Sequence, residues 1–147
     1  HHIFSPEERR ARHDILLENY SKAIQLEGRT MAEMMHKDFL PALLAHTADT
    51  ARAVREKESL GLSTACDRKL LKTLADLYES ITAGTENLSA ALAECPSHED
   101  LQQLADFCHD SVLGCLEEIR VSADQAEALI PDRLLPYPTY DTLLFSV

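Results

Sequence analysis

The fold turns on Met31-Ala32-Glu33-Met34-Met35-His36-Lys37-Asp38-Phe39-Leu40-Pro41-Ala42-Leu43-Leu44. A proline inside a helix removes the hydrogen bond its N–H would give to the carbonyl four residues back, here that of Lys37, and its ring crowds that carbonyl. A kink is therefore expected at Pro41. Upstream, Leu16, Tyr20, Ile24, Met31, Met34 and Met35 recur at helical spacing, interrupted by Gly28 but by no turn cluster. Downstream, Leu44, Ala48, Ala51 and Val54 carry the apolar stripe on, to a stop near Leu60-Gly61-Leu62. Ser5-Pro6-Glu7-Glu8 supplies the start, with serine as cap, proline at the first helical position and acids in the first turn. The expectation is one helix over residues 6–58, or two if Pro41 divides it.

Ser63 or Thr64 caps the next helix, which carries Leu70, Leu71, Leu74, Leu77, Tyr78, Ile81, Leu88 and Leu92 along one face and stops at Cys95-Pro96. Ser97-His98-Glu99-Asp100 resembles a capping box that opens a third helix, with Leu101, Leu104, Cys108, Val112, Cys115, Ile119 and Leu129 as its inner face and Pro131 as its end. At 1.5 Å per residue the second and third helices are each about 45 to 50 Å long, whereas the first approaches 80 Å. Short connections make neighbours antiparallel.

The fold class is accordingly all-α: an antiparallel bundle of three long helices, the first overhanging, or four helices if the first splits at Pro41. Residues 1–2 read as a tag remnant and residues 3–147 as a single helical domain. Within it, residues 6–27 overhang, 28–130 form the bundle and 131–147 are an extended tail. Ile15, Leu16, Tyr20 and Ile24 on the overhang have no partner among the other helices. In the tail, Pro136 and Pro138 hold the chain extended and present Tyr137, Tyr140 and Phe145. These seven side chains are the interface candidates. Most simply the tail runs back along its own bundle; the other course is to dock on another domain or subunit.

Charge and composition exclude several classes of function. The 14 basic and 25 acidic side chains leave a net charge of −11, which repels phosphate backbones and anionic lipid surfaces, so neither nucleic acid nor membrane is expected as a partner. No apolar run is long enough to span a bilayer and no signal peptide opens the chain, so a cytoplasmic location is expected. Cys66, Cys95, Cys108 and Cys115 lack a framework of short spacings and read as reduced core residues.

Two acid-x-x-His pairs, Glu33 with His36 and Asp106 with His109, have the spacing of two-metal helical bundles. The apolar stripes turn all four toward the flanks, and two further core glutamates are lacking, so no metal site is expected. No nucleophile and base pair and no glycine-rich phosphate loop can be placed, and no catalytic residue is assigned.

Three stretches carry a family likeness. They are Ala11-Arg12-His13-Asp14-Ile15-Leu16-Leu17-Glu18-Asn19-Tyr20 with Lys22, Lys37-Asp38-Phe39-Leu40-Pro41-Ala42, and Pro136-Tyr137-Pro138-Thr139-Tyr140 with Leu143-Leu144-Phe145. In order and approximate spacing they resemble the C-terminal helical region of type III glutamine synthetases. Members of that family often carry tryptophan and phenylalanine where Leu135 and Tyr137 stand, and glycine-aspartate where Asp141-Thr142 stands.

The resemblance implies a parent enzyme of two stacked hexameric rings that joins ammonia to glutamate with ATP and magnesium or manganese. It implies no cofactor in this stretch, and as partners the catalytic core of the parent chain and neighbouring subunits in a homo-oligomer. The alternative reading is a free-standing acidic helical adaptor that binds a partner helix through its exposed stripe.

Overall fold

The computed structural model describes residues 3–136, and all regular structure within them is helical. Helix α1 (Pro6–Met34) passes through a π-helical turn, Met35–Phe39, directly into α2 (Leu40–Ser59). Helix α3 (Ala65–Ala93) returns antiparallel. The third long helix comprises α4 (Leu101–Phe107), a second π-turn at Cys108–Val112, and α5 (Leu113–Glu127), followed by a short 3-10 turn at Asp132–Leu134.

Pro41 explains the first π-turn. The N–H of Leu40 reaches five residues back to the carbonyl of Met35, closing the wide turn, and Pro41 then stands in the first turn of α2, where its missing N–H leaves no gap. The helix does not break. The extra residue has a second effect, because it rotates everything downstream by about 100° relative to an uninterrupted α-helix. The inner face therefore continues through Met35, Phe39, Leu43 and Val54, all buried, and Leu44, expected inside, is 52% exposed. Ala48 is likewise exposed. Thr47 and Thr50 turn part-way inward in their place, each satisfying its hydroxyl on the carbonyl four residues back, at 2.7 and 2.9 Å.

The same correction applies in the third helix. Beyond the π-turn at Cys108–Val112 the core positions are Leu116, Ile119, Ala123, Ala126 and Ile130, whereas Cys115 is half-buried and Leu129 is 37% exposed. Its start also differs. Asp100, not Ser97, is the cap, its Oδ1 accepting from the N–H of Gln103 at 3.0 Å.

At the other connection the expected stop at Gly61 is present, with φ of 75°. Leu62 N–H bonds to the Lys57 carbonyl and Gly61 N–H to that of Glu58, a left-handed helix end that glycine adopts without strain. Thr64 occupies the cap position of α3 but donates its hydroxyl to Glu58, which Arg68 also clamps. These bonds, Arg68 first, hold the Glu58 carboxyl below its ordinary range. Lys57 pairs with Asp67 across the same turn at 2.7 Å.

The core is one cluster contributed by all three helices, with Leu43, Leu74, Ile81, Leu88, Leu104, Val112 and Leu116 fully enclosed. Thr85 is equally enclosed and bonds back to the Ile81 carbonyl at 2.8 Å. The first helix packs tightly at Gly28, where an added Cβ would stand 3.1 Å from Leu92 Cδ2 and 3.3 Å from Val112 Cγ1. Leu135 is buried in the core and the 3-10 turn packs on α2, so the first residues past Pro131 fold onto the bundle as a turn where an extended tail was expected.

Gly28→Leu should lower stability by roughly 1 to 3 kcal/mol through overpacking. Gly114→Ala, whose Cβ would meet nothing within 4 Å, should raise it by about 0.5 to 1 kcal/mol. Urea unfolding followed by circular dichroism measures both.

A candidate docking face on the first helix

The bundle covers more of α1 than the expected overhang of residues 6–27 allowed. Ser21, Ile24, Gln25 and Gly28 are buried, and the Cys108 Sγ–H points at the Ser21 carbonyl, 3.9 Å away. The reason lies in the connection from α3 to α4, which carries the chain on past the end of α3 before the third helix begins. Counting back from Cys108, Leu101 stands about level with Asp14, and a shallow hollow between His13, Asp14, Leu17 and residues 99–102 marks that junction. Only the first two turns or so of α1 extend beyond its neighbours.

Ile24 is thus corrected from the uncovered stripe to the core, at 8% exposure. Ile15 and Leu16 are 56% and 68% exposed and Tyr20 is 38% exposed. Helix geometry gives the cause. The row Leu16, Tyr20, Ile24 steps by four residues, and each step advances about 40°, so the row winds from the outer surface into the bundle. The four residues are not one face. Tyr137, Tyr140 and Phe145 lie outside the described residues.

The outer face is built differently. Phe4, Glu8, Ala11, Arg12, Ile15 and Leu16 line one open hollow, with the Arg12 guanidinium stacked 3.9 Å from the centre of the Phe4 ring. Leu26, also exposed, continues this side of the helix and borders a groove with Thr30, Met31, Met34 and Arg120. Phe4, Ala11 and Leu26 were not among the expected interface residues. Their signal was the spacing of 4 and 11 residues from Ala11 through Ile15 to Leu26, which keeps these three within about 60° of one another around the helix.

No reactive constellation accompanies this face. Glu33 is exposed and paired to Lys37 at 2.7 Å, a contact that holds its carboxyl low and the Lys37 ammonium high. Asp106 accepts from Gln102, and His109 faces its neighbour Asp110 at 3.0 Å. Glu18 is held low in the same way by the bond from Lys22 and by its charge. Among the described residues no three or more His, Cys, Asp or Glu side chains gather as a metal ion would need, and no helix is long and apolar enough to cross a membrane. The face can bind through apolar area and a guanidinium rim.

A family model described as the glutamine synthetase C-terminal domain matches residues 1–58. That span contains α1, the π-turn before Pro41 and all but the last residue of α2. Across its whole length the chain is 37% identical to a glutamine synthetase of Butyrivibrio fibrisolvens over 149 residues, which are 21% of that protein. It is 27% identical over 97% of its length to the type-3 glutamine synthetase of Dictyostelium discoideum, and 23% identical over 98% to a glutamine synthetase of Bacteroides fragilis.

The chain belongs to the glutamine synthetase C-terminal domain family. It spans about a fifth of the length of the relatives it matches. Two of the three stretches that carried the resemblance fall on described residues of this domain: residues 11–22 supply its outer face, and residues 37–42 form its π-turn and proline.

Ile15→Glu with Leu16→Glu should leave the C-terminal domain's unfolding free energy within about 0.5 kcal/mol of the starting chain, as exposed positions do. Ile24→Glu should lower it by about 3 kcal/mol or more, since it buries an unpaired carboxylate. Denaturant titration of the two variants side by side measures the difference.

Proposed function

We propose that this chain is a non-catalytic structural domain of a type III glutamine synthetase and acts in assembly. Its outer α1 face would seat against the catalytic core of the parent chain or a neighbouring subunit. The observation that carries the reading is an apolar hollow at Phe4, Ala11, Ile15 and Leu16 on the side of α1 turned away from its own bundle, within the residues the family model matches. The parent's reaction is the ATP-dependent ligation of ammonia to glutamate, in the cytoplasm, by a homo-oligomer. ATP and magnesium or manganese do not fit the residues described here. The acid-x-x-His pairs sit on exposed flanks with their carboxylates engaged locally, so those groups belong to the rest of the enzyme and no step of the reaction is routed through this domain.

The test uses the full-length enzyme carrying this domain. Ile15→Glu with Leu16→Glu is expected to shift its mass in light scattering from the assembled particle to smaller species, with the domain still folded by circular dichroism. The isolated chain is expected to release no phosphate from ATP with glutamate, ammonia and magnesium. An intact, fully active particle in the double variant, or turnover by the isolated chain, contradicts the proposal.

A further inference from the structure

Two free thiols meet where the first helix enters the bundle. The side chains of Leu92 on α3 and Val112 at the end of the second π-turn both press on the place where a Cβ on Gly28 would stand. Those two side chains are therefore neighbours. Helix α3 runs toward Pro96 and the third helix runs back from Asp100, so one turn further toward that connection the next residues at a shared level are Cys95 and Cys108. Cys108 is fully buried in the core, and Cys95 is half-buried against the same cluster.

Both are held loosely. The Cys108 Sγ–H donates to the Ser21 carbonyl at 3.9 Å and the Cys95 Sγ–H to the Ala91 carbonyl at 3.6 Å, long contacts from weak donors. Either thiol can turn toward the other without giving up a strong bond. Burial first, and then the facing Cys95 thiol, push the Cys108 thiol up, so it stays protonated in the resting domain. Cys95, the more accessible of the two, is the one an oxidant meets.

We propose that Cys95 and Cys108 form a reversible disulfide, made by exchange with a small-molecule disulfide such as oxidised glutathione. In the first step the Cys95 thiolate attacks one sulfur of oxidised glutathione, breaking its S–S bond and releasing one glutathione thiolate, which takes up a proton. In the second, the Cys108 sulfur attacks Cys95 Sγ in that mixed disulfide, gives its proton to solvent, and expels the second glutathione thiolate, which is protonated in turn. Two thiol protons and two electrons pass from the protein to oxidised glutathione, leaving one protein disulfide and two glutathione thiols. The bond ties the end of α3 to the second π-turn, at the level of Ser21 and just inside the exposed part of α1. This inference is independent of what the outer face of α1 binds.

The test incubates the intact chain with excess oxidised glutathione, then counts free thiols after denaturation and maps the link by mass. Free thiols are expected to fall from four to one, because exposed Cys66 takes a glutathione of its own and Cys115 stays free. Cleavage after Glu94, Glu99 and Glu117 should leave Cys95-Pro96-Ser97-His98-Glu99 joined to residues 100–117, fragmentation between Cys108 and Cys115 should place the link on Cys108, and dithiothreitol should restore all four. Cys108→Ala should stop at a stable glutathione adduct on Cys95, and Cys95→Ser, at a half-buried site that tolerates the change, should leave Cys108 unmodified. A stable adduct on Cys95 in the unsubstituted chain, a link through Cys66 or Cys115, a bond between two chains, or four unreacted thiols overturns the proposal.

Discussion

Pro41 has no N–H to give, and the first helix must cross it inside a hydrophobic core. The π-turn at Met35–Phe39 is the solution the chain adopts: one wide turn, closed by the Leu40 N–H on the Met35 carbonyl, places the proline in the first turn of a renewed α-helix. The rest of the structure depends on it. Because the helix does not break, residues 6–59 form a single spine against which α3 and the third helix both pack. Because the turn adds a residue, the buried face passes to Phe39, Leu43 and Val54. A second π-turn at Cys108–Val112 shifts the third helix in the same manner, and its Val112 meets the spine at Gly28.

A spine has more than one side, and here the two sides divide the work. Ser21, Ile24, Gly28, Met35 and Phe39 belong to the bundle and hold the domain together. Ala11, Ile15 and Leu16 are exposed on another side of the helix, where the proposed docking face lies. The inward polar groups are largely satisfied within their own helices, as with Thr47, Thr50 and Thr85, which leaves them no chemistry to offer. One buried side chain stands apart: the Ser21 hydroxyl has no hydrogen-bond partner, on the residue whose carbonyl faces the Cys108 thiol. It marks the one place in the described core where a polar group is unmatched.

Much of the fold was legible in the sequence. The all-helical class, the antiparallel three-helix order, the cap at Ser5, the stop at Gly61 and the face of α3 through Leu74, Leu77, Ile81 and Leu88 follow from periodicity and capping chemistry. What was hidden follows from one assumption, that helical spacing stays at 3.6 residues per turn. Neither π-turn leaves a local signal beyond the proline itself, so Leu44, Cys115 and Leu129 were placed inside where Leu43, Leu116 and Ile130 belong. The cap at Asp100 was overlooked in favour of Ser97 because both residue types cap well and the choice is made by the length of the connection. On the docking face, Ile15, Leu16 and Tyr20 were found as exposed apolar residues, whereas Ile24 was misplaced because a row of fourth residues drifts around the helix.

The continuity of the spine through Pro41 is the claim on which the faces, the registers and the docking surface all rest. Spin labels at Arg29 and Arg55, both exposed and on opposite sides of the π-turn, test it directly by double electron–electron resonance in a background lacking the accessible cysteines. An unbroken helix predicts a single narrow distance near 40 Å, at about 1.5 Å per residue. A broad distribution, or a main distance below about 30 Å, as a helix folded back at Pro41 would produce, contradicts it.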